Sequence, residues 1–190
     1  MVAISIFRVL WEHKQLEKDE SWSNSIRKVC EFSTVEEFWR YWSFIPRPSE
    51  IFFDGQSRKE VEGRTIEGFS LFKKGIRPEW EDPANKNGGE LSCRKMLPVD
   101  ILDLYWENMA LGLIGETVDD GDEICGCRVV DKGKPRPGSK TLFKIELWMR
   151  QDSTHIAERL RHRLCECLSD GEGNGKGRSR NLPEFEYKKH

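Results

Sequence analysis

The chain has 190 residues, 37% apolar and 34% charged, with a formal net charge of −2. That length supports one domain with a full core. The near-neutral charge excludes a broad polycationic surface for nucleic acid, so any anion site must be local, and no run of about 18 or more apolar residues offers a membrane span.

The opening stretch MVAISIFRVLWEHK lacks a basic region, a long apolar core and a small-residue cleavage site, so no signal peptide is expected. Six cysteines suit neither a disulfide scaffold nor an exported protein. Reduced thiols in the cytoplasm, or the nucleus as well, are expected.

In chain order, ISIFRVLWEH at 4–13 and IRKVCEF at 26–32 are rich in β-branched and aromatic residues with partial alternation, and read as strands. A helix follows in STVEEFWRYWSFIP. Ser33 and Thr34 each have Glu three residues on, a capping-box signature, and Val35, Phe38, Trp39, Trp42 and Ile45 recur at helical spacing before Pro46. Residues 46–67 read as a long polar insertion leading into a strand near 69–72. A second helix over 100–113, DILDLYWENMALGL, is apolar around more than half its circumference, where a surface helix carries one stripe. That excess implies deep burial or a second, exposed apolar face. Strands at 124–130 and 142–149 flank an extended basic hairpin loop at 131–141. A third helix spans 154–168, a Gly-rich flexible loop occupies 169–181, and a last strand lies within LPEFEYKK. Strands with three interspersed helices and no βαβ rhythm indicate a single α+β domain over 1–190.

Enzyme signatures are missing: there is no G-x-S-x-G elbow, P-loop or G-x-G-x-x-G. The acidic loop of Asp119, Asp120, Asp122 and Glu123 lacks EF-hand spacing and reads as solvated. Cys125 and Cys127 would share a strand face, whereas Cys165 and Cys167 would diverge by about 200° on a helix, which disfavours one shared zinc ion. No metal and no cofactor are expected.

Two features point to a ligand. The hairpin sets Lys132, Lys134, Arg136, Lys140 and Lys144 against the one acid Asp131, which suits a phosphate clamp as well as a solvated loop. Lys144, Glu146 and Trp148 then share a strand face by alternation. Trp22 and Trp80 stand in polar loops, in KDESWSNS and GIRPEWEDPANKNGG, with Glu81 beside the second. One such Trp is ordinarily a half-buried packing residue; two, with a carboxylate and a basic hairpin, suit stacking on a base that carries a charged tail.

With these residues in view, the chain resembles the translation initiation factor 4E family of mRNA cap-binding proteins over nearly its whole length. The motifs are FSTVEEFW (32–39), SLFKKGIRPEWEDPANKNGG (70–89), WENMALGLIGE (106–116), EICG (123–126), and the Trp148 strand followed by STHIAERLRHRL. The resemblance implies a curved antiparallel sheet with three helices on its convex face and a cap slot on the concave side. It implies that Trp22 and Trp80 sandwich 7-methylguanine, that Glu81 pairs with the guanine edge, and that Trp148 touches the methyl group. The triphosphate would meet the hairpin, where only Lys144 aligns well, Lys132 is the next candidate, and Lys134, Arg136 and Lys140 are interchangeable. On the back face, Val35, Trp39, Leu111 and Ile114 would receive an amphipathic helix from a factor 4G scaffold or a 4E-binding repressor.

The sequence departs from the family pattern at four places. The hairpin is longer, Leu91 stands where a Trp is common, Val2 and Ala3 replace a His-Pro-Leu, and Glu107–Asn108 replace a Leu–Glu. The last two bear on the partner face, whose usual ligand pattern is Tyr-x-x-x-x-Leu-apolar. The expected function is a monomeric cap-binding initiation factor that makes and breaks no bond. The alternatives are a cap-binding repressor that fails to recruit the scaffold, a peptide-binding module of weak cap affinity and, more remotely, a decapping hydrolase.

Overall fold

The computed structural model describes residues 3–16, 21–119, 121–134, 140–169 and 182–190, with the backbone alone for 3–6. β1 (Ala3–Lys14) pairs antiparallel with β2 (Ile26–Thr34) on one side and β4 (Arg64–Lys73) on the other. The full sheet is eight-stranded and antiparallel throughout, in the order β2-β1-β4-β6-β7-β5-β8, with β6 (Ile124–Asp131), β7 (Phe143–Met149), β5 (Gly89–Lys95) and β8 (Glu186–Lys189). β3 (Glu60–Val61) hangs on β4 through a two-residue turn, Glu62–Gly63, in which both residues have positive φ. That conformation matches the twist of a hairpin.

Strand periodicity divides the side chains between two faces. On β4, Leu71 enters the main core and Phe72 the opposite cluster; on β7, Leu147 and Trp148 divide in the same way. The helices α2 (Val35–Trp42), α4 (Val99–Ile114) and α5 (Thr154–Ser169) cover the main core. The opposite face holds the smaller cluster of Phe72, Ile76, Cys125 and Trp148.

α2 starts as its sequence dictates. The Thr34 side chain accepts from the Glu37 amide at 3.2 Å, and Glu37 reaches back to the Ser33 amide at 2.8 Å. The helix ends at Trp42, short of Ile45. The apolar excess of α4 is mainly burial: Leu102, Tyr105, Trp106, Met109, Ala110, Leu113 and Ile114 are inside, because the short helix α3 (Pro48–Ile51), α5 and the sheet pack around it. Leu111 alone among its large apolar side chains is exposed.

Three readings need correction. The 46–67 stretch is not uniformly polar, since α3 (Pro48–Ile51) delivers Ile51, Phe52 and Phe53 into the interior, each such burial stabilising by about 1.5–3 kcal/mol. Strand β4 begins at Arg64, and β5, absent from the strands expected from the sequence although Leu91 and Cys93 alternate with Glu90, Ser92 and Arg94, is a paired one. Cys125 and Cys127 lie on opposite faces, because a bulge between Ile124 and Gly126 shifts the register. All six cysteines are free thiols. No helix among the described residues is long and apolar enough to cross a membrane.

Candidate functional site

The loop joining β4 to β5 satisfies its backbone internally, which lets it project from the sheet. Asp82 accepts from the amides of Arg77 at 2.8 Å and Ala84 at 2.9 Å. The buried Asn85 amide donates to the carbonyls of Arg77 and Glu79, each at 2.8 Å. These bonds fix the loop without using Trp80, whose side chain is 62% exposed. Below it, Ile76 joins Phe72 and Trp148. Gly126 is required there: a Cβ at this position would lie 2.4 Å from the Phe72 ring. Phe72 in turn meets Trp148 edge to face, with ring centres 5.4 Å apart.

Trp22 opens α1 (Trp22–Ser25), a single turn closed by the Ser25 hydroxyl donating to the Trp22 carbonyl at 2.7 Å. It is 40% exposed. The Arg128 guanidinium carbon lies 4.9 Å from its ring centre, and the His13 ring lies 5.8 Å away. His13, hydrogen-bonded to Ser70, is held well below the ordinary histidine range, by burial first and then by Arg128 and Lys132.

Trp22, Trp80, Glu81 and Trp148 line one cavity of about 420 Å³, together with Arg94, Arg128, Lys132, Lys144 and Glu146. Glu81 is exposed, whereas Trp148, though it lines the space, is buried. His190 stands edge-on to Trp148 at 4.7 Å and 6.3 Å from Trp80.

The cations are not equivalent. Lys144 donates to Glu90 at 2.9 Å and to Glu146, so two carboxylates already neutralise it. Arg128 and Glu146 face each other across β6 and β7, with Nε 3.5 Å from Oε2, an ion pair longer than a hydrogen bond. Burial pushes the Glu146 carboxyl up from its ordinary value, and the Glu90 charge adds to that. Burial likewise lowers Lys132, with Arg128 adding to the effect. Asp131, the hairpin's acid, is consumed elsewhere: it accepts from the Phe53 amide at 2.9 Å and from Arg58 Nε at 2.8 Å.

Of the hairpin cations, then, Lys132 and Lys144 line the cavity. Lys134 and Lys140 are exposed and do not line it, and Arg136 lies outside the described residues. Sequence reasoning missed Arg94, on the unread strand β5, and Arg128. The signal for Arg128 was present: an Arg inside the apolar run ICGCRVV, facing the Glu inside KIELW. Among the described residues no cluster of three His, Cys, Asp or Glu could hold a metal ion. On the helical side, Trp39 is 45% exposed, Leu111 36% and Val35 partly buried, while Ile114 is within the core at 9%.

The sequence model of the family described as "Eukaryotic initiation factor 4E" matches residues 7–176. The chain belongs to the eukaryotic initiation factor 4E family. It is 35% identical over 170 residues to eukaryotic translation initiation factor 4E1 of Drosophila melanogaster, a match covering 87% of this chain and 58% of that protein. It is 34% identical over 143 residues to initiation factor 4E-1 of Zea mays, covering 74% and 55%. The chain thus matches little more than half the length of these curated relatives.

Among solved structures, C. elegans eIF4E-3 in complex with the 4E-binding protein Mextli superposes with a TM-score of 0.73 at 25% identity, covering 100% of this chain and 93% of that one. A schistosome eIF4E in complex with m7GpppG and 4E-BP gives 0.68 at 26% identity, covering 88% and 83%. The initiation factor 4E family is one of non-enzymatic cap-binding factors. The α+β sheet-and-helix architecture expected from the sequence is the fold of these structures.

Proposed function

We propose that this member of the initiation factor 4E family binds the 7-methylguanosine 5′ cap of mRNA and recruits it to the translation machinery through a partner helix on its helical face. The observation that carries the reading is that two exposed indoles from unrelated loops, Trp22 and Trp80, line one cavity with Glu81. N7-methylation makes guanine cationic, so a base held between two indoles gains cation–π attraction as well as stacking. Glu81 accepts from N1–H and the exocyclic amine, bonds strengthened by the positive ring. Trp148, which lines the same space, meets the methyl group. The phosphates extend toward Lys132 and Arg94, lining cations with no ion pair to a carboxylate among the described residues, while Lys144 serves chiefly to hold Glu90 and Glu146.

The partner face is Val35, Trp39 and Leu111, with Ile114 contributing backing from within. A helix seated there presents side chains at i, i+3, i+4 and i+7. Glu107 and Asn108 favour a second reading in which the cap is bound but the usual scaffold is not recruited. The test is quenching of tryptophan fluorescence by 7-methyl-GTP against GTP. Tighter binding of the methylated nucleotide is expected, and equal binding of the two overturns the cap reading.

A further inference from the structure

Beside Trp39 lies a second cavity, of about 400 Å³, walled by the indoles of Trp39, Trp42 and Trp106 between α2, α3 and α4. Its rim is acidic, with Glu50, Asp103 and Glu107 against Arg47. Two of these carboxylates are committed. Asp103 accepts from the Ser49 amide at 2.8 Å and the Ser49 hydroxyl at 2.5 Å, and Glu50 accepts from the Arg47 amide at 2.6 Å. Glu107, half-buried, has no hydrogen bond or ion pair among the described residues. The ring of Trp39 contacts Phe38 at 5.0 Å and is 45% exposed, so an accessible indole and an uncommitted carboxylate border the same space.

The chemistry of that space selects its occupant. An indole face attracts a cation, and a carboxylate in a half-enclosed site pairs with one more strongly than it would in water. A purely apolar occupant would desolvate Glu107 without compensating it, and an anion would be repelled. A guanidinium satisfies both walls at once, since it is planar enough to stack and forks onto a carboxylate, while its aliphatic stem lies along Trp42. We propose that this groove receives an arginine side chain carried by the helical partner of the adjoining Val35–Trp39–Leu111 face. The partner segment is then apolar where it meets Leu111 and basic where it meets Trp39 and Glu107. The carrier rests on the partner-face reading above, whereas the arginine chemistry rests on the groove alone.

Two measurements on the full chain separate these. In the first, N-acetyl-arginine methylamide and its citrulline analogue are titrated while the Trp39 indole N–H is followed by NMR, the signal being assigned with Trp39→Phe. A saturable shift with the arginine compound only, lost in Glu107→Gln, is expected; no arginine-specific shift overturns the proposal. In the second, amphipathic helical peptides carry Arg or Gln at the position flanking the apolar stripe. Arg should bind about two- to thirtyfold tighter than Gln, with the difference vanishing in Glu107→Gln. Equal binding of the two peptides to the unmodified chain overturns the proposal. An arginine-specific shift with no peptide binding at all sustains the groove chemistry and rejects the helical carrier.

Discussion

The guanidinium carbon of Arg128 lies 4.9 Å from the centre of the Trp22 ring, so a strand cation supports one wall of the candidate cap slot. The same side chain faces Glu146, and both are buried. Removing one partner of a buried pair leaves the other uncompensated, which costs about 3–5 kcal/mol. Arg128→Leu should therefore lower the unfolding free energy by roughly 3 kcal/mol. Arg128→Leu with Glu146→Leu should lose distinctly less than the sum of the single changes. Urea denaturation of the three variants checks this, and strictly additive losses would show that the two charges are not coupled.

Trp80→Ala should separate binding from folding. The side chain is 62% exposed and the loop is fixed by Asp82 and Asn85, so stability should change by no more than about 0.5 kcal/mol. Affinity for 7-methyl-GTP should fall by about 1–3 kcal/mol, the value of one stacked base. Glu81→Gln places a donor opposite guanine donors, so it should cost about 1–3 kcal/mol and narrow the preference for guanine over adenine caps. Unchanged discrimination would remove Glu81 from base reading.

The reach of the sequence follows from which forces are local. The α2 start was legible because Ser33, Thr34 and Glu37 satisfy one another within a single turn. Trp80 and Glu81 were legible because a large aromatic in a polar loop contradicts its surroundings. β5 was not, since GELSCRK takes its burial from β7 on one side and β8 on the other, pairings of long sequence separation. The charge pairing of Lys144 was hidden for the same reason: Glu90 reaches it only through β5. A bulge decided the faces of Cys125 and Cys127, and no periodicity announces a bulge.

Salt dependence should reveal which cations meet the phosphates. Lys144 is held by Glu90 and Glu146, so Lys144→Met should act mainly by uncovering those carboxylates, weakening 7-methyl-GTP binding at low salt through repulsion and not through a lost phosphate contact. Lys132→Met and Arg94→Met should each reduce the salt sensitivity of binding, because these cations line the cavity and have no ion pair to a carboxylate among the described residues. Affinity is to be measured between low and moderate ionic strength. Unchanged salt sensitivity in both the Lys132 and the Arg94 variants would reverse the assignment.

His13 should make stability pH-dependent. Burial holds its folded-state value well below the ordinary one, so the neutral ring is favoured in the fold. The unfolded chain takes up a proton below about pH 6.5 and the folded chain does not. This contribution is thus fully present above that pH and is lost on acidification, at up to about 1.4 kcal/mol per pH unit until the folded value is reached. Replacement by Gln should remove that slope in denaturation series between pH 7 and 5. An unchanged slope would assign the acid sensitivity to other groups.

Trp39 should divide the two faces of the protein. It stands on a well-capped helix with its indole 45% exposed, while Phe38 and Trp42 on the same helix supply the packing against Phe32 and Trp106. Losing it therefore removes surface and not core. A central interface Trp typically costs about 2 kcal/mol or more when truncated. Trp39→Ala should abolish capture of an amphipathic helical partner while retention on 7-methyl-GTP resin persists, because Trp39 and the candidate cap cavity are separated by the sheet. Loss of both together would place Trp39 in the core. A peptide of the plain Tyr-x-x-x-x-Leu-apolar pattern should bind weakly, since Glu107 puts a carboxylate beside the surface that such a peptide would cover with apolar groups. Glu107→Leu should restore that binding, and tight binding to the unmodified chain would show that Glu107 does not set the partner's motif.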